Sequence, residues 1–194
     1  MKRVRLLLWA LAALALVGLG VLVLRQSSPP AHQGEMSVGG PFTLTGGDGR
    51  SFSSSSLAGK PYAIFFGFTH CPDVCPTTLA RLVRLRAQLK AGTDALAIVF
   101  VSVDPERDGP KEVGSYASLF GAPVTGLTGT PAQIAQVKRQ FRIYSEKVPD
   151  DAGGYTVDHT ATVLLFDSDG KFVATISPEE GDRIALDKLE RIMR

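Results

Sequence analysis

Phe65-Phe66-Gly67-Phe68-Thr69-His70-Cys71-Pro72-Asp73-Val74-Cys75-Pro76 is the stretch from which the fold is read. The apolar run Tyr62 to Phe68, preceded by Gly59-Lys60-Pro61, reads as a buried strand. Behind it the pattern turns helical, with Leu79, Leu82, Val83 and Leu89 recurring near a 3.6-residue period. Arg81, Arg84 and Lys90 fall between them and read as an exposed helix face. Asp73 is a candidate N-cap. Pro76 fits a first turn, where its missing N–H has no intrahelical partner. The chain's only two cysteines therefore sit where a strand meets a helix N-terminus. Free N–H groups and the positive end of the helix dipole favour thiolates there.

Working outward, 194 residues with 44% hydrophobic content suffice for one core, so a single folded domain with appendages is expected. The net charge of +2 hides an asymmetry. Lys2, Arg3, Arg5 and Arg25 lie in the N-terminal segment, leaving 17 of the 21 basic residues against all 19 acidic ones. A slightly acidic domain carries no electrostatic footprint for nucleic acid. Two cysteines make neither a disulfide framework nor a zinc-finger spacing.

Leu6 to Leu24 holds no charged residue and is long enough to span a bilayer. The basic residues before it place the N-terminus in the cytoplasm and everything beyond Arg25 outside. A cleaved signal peptide is the alternative, but the run is longer than a usual signal and lacks an Ala-x-Ala-like site before Arg25. The expected organisation is a cytoplasmic N-terminus and transmembrane helix over 1–25, a linker over 26–38 and a folded domain over 39–194. The linker is rich in Ser, Pro and small residues, and its His32 reads as a bystander.

The domain opens with Phe42-Thr43-Leu44-Thr45, a turn at Gly46-Gly47-Asp48-Gly49, and Arg50-Ser51-Phe52, which is hairpin chemistry. Ala95 to Val103 reads as a second buried strand, ending at Asp104-Pro105-Glu106-Arg107-Asp108. Helices are expected over 110–120 and 131–141 and strands over 161–166 and 171–176. A closing helix over 182–193 has Ile184, Leu186, Leu189 and Ile192 as its apolar positions. That order is α/β: a thioredoxin-like fold with an N-terminal β-hairpin extension, preceded by one transmembrane helix.

Parallel pairing of the first two core strands brings Cys71 and Asp104 to the carboxyl edge of the sheet. An antiparallel strand beginning near Ala161 starts at that edge, with His159 just before it. Cys71, Cys75, Asp104 and His159 thus share one rim, where open α/β sheets bind ligands. Cys-x-x-x-Cys is wider than the Cys-x-x-Cys redox pattern. It allows either an intramolecular Cys71–Cys75 disulfide, when oxidised and metal-free, or two sulfurs facing a metal. The nearby imidazole favours the metal, and two thiolates with one histidine suit copper(I), or copper(II) with a further oxygen donor, better than structural zinc. His70 is adjacent to Cys71, so its side chain points elsewhere. Asp158 is either a group that orients His159 or a polar loop residue. Arg107 and its flanking acids read as a loop with no assigned role. A peroxiredoxin-type Pro-x-x-x-Thr-x-x-Cys pattern is absent, since Phe68 and Pro72 hold those places ahead of Cys75.

Phe68-Thr69-His70-Cys71-Pro72-Asp73-Val74-Cys75-Pro76, Val103-Asp104-Pro105-Glu106-Arg107-Asp108 and Asp158-His159-Thr160 resemble the three signatures of the Sco (SenC-type) family. They stand in the family's order, and the similarity runs from about Gly39 to Arg194. The resemblance implies a single-pass protein of the cytoplasmic membrane with a periplasmic copper-binding domain. Its copper ligands would be Cys71, Cys75 and His159, with Asp158 and Asp104 as candidates for the surrounding shell. It further implies a role in assembling the dinuclear copper centre of cytochrome c oxidase subunit II, alongside another periplasmic copper chaperone or a thiol reductant. Two roles stay open: a metallochaperone that hands over copper, and a thiol–disulfide oxidoreductase that reduces the target's cysteines. His159 discriminates between them, because disulfide exchange needs two sulfurs and no imidazole.

Overall fold

The structure is a computed structural model that describes Trp9 and residues 38–89, 92–150 and 153–194. The expected membrane span apart from Trp9, the linker through residue 37 with its His32, and Lys90 lie outside the described residues. Among the described residues no helix is long and apolar enough to cross a membrane.

The stretch around the cysteines folds as read. Tyr62–Gly67 forms strand β3, every residue of it buried, and Val74–Ala87 forms helix α1. Ahead of them stand β1 (Thr43–Gly46) and β2 (Ser51–Ser53), the expected hairpin. After α1 come β4 (Ala97–Ser102), α2 (Pro110–Ser118), β5 (Thr125–Thr128) and α3 (Pro131–Phe141). The chain continues through β6 (Ser145–Pro149), β7 (Tyr155–His159), β8 (Val163–Phe166), β9 (Phe172–Ile176) and α4 (Asp182–Ile192).

Seven strands make the main sheet in the order β2-β1-β5-β4-β3-β8-β9. β3 and β4 run parallel with Gly67 opposite Ser102, so both strands end level at one edge. β8 is antiparallel to β3, which puts its first residues at the same edge. Ile64, Phe65, Phe66, Phe100 and Phe166 are fully buried. Each such side chain contributes about 1.5–3 kcal/mol through apolar burial, which centres the core on β3, β4 and β8.

Three expectations are corrected. β5 and the β6–β7 hairpin have no counterpart in the reading above; the hairpin is a separate two-stranded sheet. In α4 the buried stripe is Ala185, Leu189 and Ile192, while Ile184 is 50% exposed. Residues four and seven apart share a helix face, and the phase is set by the small Ala185 against the sheet rather than by the bulkier Ile184. Nor is Arg81 part of an open basic face. Its Nε meets Asp182 Oδ1 at 2.7 Å, its Nη2 donates to the Glu180 carbonyl, and Arg84 holds the other oxygen of Asp182 at 2.8 Å. The two arginines clamp α1 to the start of α4.

Candidate metal centre

Cys75 is the second residue of α1 and begins its inward stripe, with Leu79, Leu82 and Arg86 at helical spacing behind it. That register buries Cys75 completely. Cys71 lies in the loop before the helix and is partly exposed. Asp73 occupies the cap position, but its carboxylate receives no helix N–H and takes the Thr77 hydroxyl instead, at 3.2 Å. The Cys71 sulfur is the acceptor at this helix end, receiving the Cys75 N–H at 3.4 Å.

Burial and hydrogen bonding divide the two thiols. The Cys71 thiol is lowered from its ordinary 9.0 to about 4. The bond from the Cys75 side chain is the largest cause; it outweighs burial, and His159 and the backbone N–H groups of Cys75 and Asp73 add to it. Cys75 moves the other way, pushed up by its bond to Cys71 and then by burial. One sulfur is thus an accessible thiolate and the other a buried, protonated donor to it.

His159 is the last residue of β7, not a loop residue ahead of β8. Its Nε2 lies 3.4 Å from Cys75 Sγ, and its Nδ1 lies 3.0 Å from the Thr160 carbonyl. A carbonyl only accepts, so Nδ1 donates to it, and Nε2 is the ring nitrogen turned to the sulfurs. The rings of Phe65 and Phe68 meet the imidazole edge-on at 6.0 and 5.8 Å, walling it with apolar surface. Side chains along β7 alternate, so Tyr155, Val157 and His159 face the domain while Thr156 and Asp158 are exposed. This parity decides between the two readings of Asp158: it lies on the opposite face as an exposed polar residue, and the Thr160 carbonyl takes the ring nitrogen.

Among the described residues, Cys71, Cys75 and His159 form the one group of metal-ligating side chains, with ligand atoms all within 4.8 Å of one another. Around them, the loop after β4 is no idle surface. Asp104 and Asp108 are fully buried. Asp108 accepts from Thr69 N–H at 2.8 Å, Thr69 Oγ1 at 2.6 Å and Ser102 Oγ at 2.6 Å, pinning the start of the cysteine loop. Exposed His70 turns away from the sulfurs, its Nδ1 3.4 Å from Asp108. Asp104 touches no ligand atom; it receives Tyr155 Oη at 3.0 Å and Arg107 Nε at 2.5 Å. Asp108 carried a sequence signal of its own, an acid four residues after Asp104 in an otherwise turn-like segment, but nothing in it announced burial.

Two thiols and an imidazole thus converge at one sheet edge, in a domain that known relatives share. Residues 30–194 fit the SCO1/SenC family model. The SCO1 homolog 1 protein of Arabidopsis thaliana mitochondria is 39% identical over 142 residues, covering 72% of this chain and 42% of that protein, so the chain spans less than half the length of that relative. Bradyrhizobium japonicum ScoI, solved with copper bound, is 44% identical with a TM-score of 0.73, covering 80% of this chain and 99% of that one. BsSco, described as having a disulfide switch and as a member of the Sco family of cytochrome c oxidase assembly proteins, is 25% identical with a TM-score of 0.61, covering 81% and 94%. A family match that spans residues 30–194, the whole of the folded domain, makes this chain a member of the SCO1/SenC family.

Proposed function

We propose that this protein is a copper metallochaperone. It carries copper as cargo between Cys71 Sγ, Cys75 Sγ and His159 Nε2 and delivers it to the dinuclear copper centre of cytochrome c oxidase subunit II. It works from a single N-terminal membrane anchor with the domain on the periplasmic side. The observation that carries the reading is the convergence of the three donor atoms within 4.8 Å, with His159 Nδ1 bound to the Thr160 carbonyl so that Nε2 faces the sulfurs. Two soft thiolates select a thiophilic ion, and the imidazole adds a donor suited to either copper oxidation state. Cys71 is partly exposed, so an incoming thiolate can reach the site and exchange ligands one at a time. The match to copper-bound ScoI supports the same assignment.

The test is copper stoichiometry and affinity for the purified full chain, reduced, in both oxidation states. Cys71→Ser or Cys75→Ser should abolish tight binding. His159→Ala should weaken Cu(II) more than Cu(I), because two thiolates alone hold Cu(I) linearly. Full and equal copper retention by all three variants would overturn the assignment.

A second reading has its own observation. An accessible thiolate at Cys71 beside a buried, protonated Cys75 is the division of labour of an attacking and a resolving thiol. In that reading Cys71 Sγ attacks a target disulfide to form a mixed disulfide, releasing one target thiolate. Cys75 then displaces the second, leaving Cys71–Cys75 oxidised and the target reduced.

A further inference from the structure

Among the described residues the β6–β7 hairpin pairs with no strand of the main sheet, yet it supplies His159, whereas α1 and its preceding loop supply the two sulfurs. Backbone hydrogen bonding to the sheet therefore does not set the distance between imidazole and sulfurs. The short link from His159 to β8 and the Thr160 N–H to Tyr144 carbonyl bond hold the base of the hairpin, and side chains on the inward face of β7 hold the rest; two besides His159 face that way. Val157 is buried in the core, and Tyr155 is half-buried against it.

Tyr155 Oη donates to the buried Asp104 carboxylate, at 3.0 and 3.2 Å from its two oxygens. The Arg107 guanidinium lies over the Tyr155 ring at 3.7 Å, and Arg107 Nη1 donates to the Tyr155 carbonyl at 2.8 Å. Lys147, from β6, sits 4.6 Å from the same ring and pairs with Glu106 at 2.5 Å. Arg107 also lies 5.8 Å from the centre of the Phe68 ring, which walls His159. These contacts tie both strands of the hairpin to one short loop after β4. The same loop holds the cysteine side of the site through Asp108 and Thr69.

We infer that Asp104, Arg107 and Tyr155 form a latch that positions His159 against the cysteine pair. The loop of residues 103–109 is the common bracket: Asp108 fixes the sulfur-bearing segment, and Asp104 with Arg107 fixes the histidine-bearing hairpin. None of the three touches the donor atoms, so they are positioning residues. Charge-assisted bonds and a stacked guanidinium suit that task, because each has a narrow geometric optimum and a thiol site tolerates little error in its third ligand. The inference rests on the copper reading for its consequence, but the latch itself is visible without metal.

The experiment uses the full chain and three variants. Tyr155→Phe removes the hydroxyl and keeps the ring. Arg107→Lys keeps the charge and loses the planar fork. Tyr144→Phe removes a hydroxyl bonded to Glu146 on the hairpin's exposed face and serves as control. In metal-free protein, hydrogen exchange of the 155–159 amides should rise about tenfold in Tyr155→Phe, as expected for losing one such bond, while β3 and β4 amides stay protected. Arg107→Lys should rise less and Tyr144→Phe not at all. With copper, Tyr155→Phe should lose about tenfold in Cu(II) affinity together with the nitrogen signature in its electron paramagnetic resonance spectrum, and keep Cu(I) affinity. In a His159→Ala background the same substitution should change Cu(II) affinity no further. Unchanged hairpin exchange overturns the latch, and so does a Cu(II) loss that persists without His159. If the wild-type chain takes no copper while hairpin exchange still rises in Tyr155→Phe, the copper reading falls and the latch stands.

Discussion

Gly67 lies directly behind the Cys75 sulfur: a Cβ at position 67 would stand 2.6 Å from Sγ, with Phe65 and Phe100 ring carbons at 3.1 and 3.2 Å on its other sides. The last residue of β3 is thus a glycine because the space a side chain needs is taken by a sulfur. Gly67→Ala should push Cys75 out of its helical register and overpack the aromatic cluster, costing about 1–3 kcal/mol of stability. Urea unfolding reads the cost, and copper titration should show Cu(I) binding weakened alongside it. An alanine variant with wild-type midpoint and copper affinity would mean the sulfur has room to spare.

The opposed shifts of the two thiols predict a pH dependence with a maximum. Between about 4 and the ordinary thiol value of 9.0, the unfolded pair holds two protons and the folded pair one. Stability therefore rises with pH across that window, and is lost as pH falls through the Cys71 value. Above 9.0 the unfolded pair holds none while Cys75 keeps its proton, so the contribution falls again. Denaturant midpoints of the metal-free chain across this range should show the rise, and Cys71→Ser should flatten it. Alkylation by iodoacetamide gives a second reading. Cys71 should react first, at a rate nearly constant from about pH 6 to 8, where a free thiol gains about tenfold per pH unit. A rate that climbs like a free thiol's would show that Cys71 is not held as thiolate.

Asp108 has three donors and no exposure, so its removal leaves Thr69 N–H and two hydroxyls without an acceptor. Asp108→Ala should cost about 3–5 kcal/mol, and Asp108→Asn less, since an amide oxygen still accepts. The loosened cysteine loop should also alkylate faster at Cys75, which the intact loop buries. Thermal unfolding with peptide mapping checks both, and equal stability of the alanine and wild-type chains would contradict the pinning role.

The strand–turn–helix at the cysteines was legible because its apolar runs are long and the periods on either side differ, from Tyr62–Gly67 to the helical recurrence that begins at Leu79 and Leu82. The rim followed from connectivity alone, since parallel β3 and β4 must end together. β5 carries only Thr-Gly-Leu-Thr, too short and too poor in apolar residues to announce a strand. β6 reads Ser-Glu-Lys-Val-Pro, polar because it is largely exposed and pairs only with β7. Arg86 shows the same limit. It looks like a surface residue in a basic helix, yet it is buried with Nη1 on the Pro123 carbonyl at 2.7 Å. The contact that justifies its burial comes from a loop far along the chain. The side of β7 on which Asp158 falls is fixed by strand parity, which became visible only once β7 was known to be a strand.

The last prediction separates chaperone from reductase through His159. Handing over copper requires a holo-state stable enough to travel and labile enough to release. An imidazole beside two thiolates is the exchangeable partner in such a set. Reducing a target disulfide requires an attacking thiolate at Cys71 and a resolving thiol at Cys75. The imidazole enters only as a secondary cause of the Cys71 shift, behind the bond from Cys75. His159→Ala with both cysteines intact should therefore fail to support copper-centre assembly in cells lacking the native protein under limiting copper. Its reactivity toward a model disulfide should stay within about tenfold of wild type, a barrier change of roughly 1.4 kcal/mol. Oxidase copper content and activity are measured beside that rate. Normal oxidase assembly by the histidine variant would favour the reductase, because a site that works without its third ligand is not working by holding the metal.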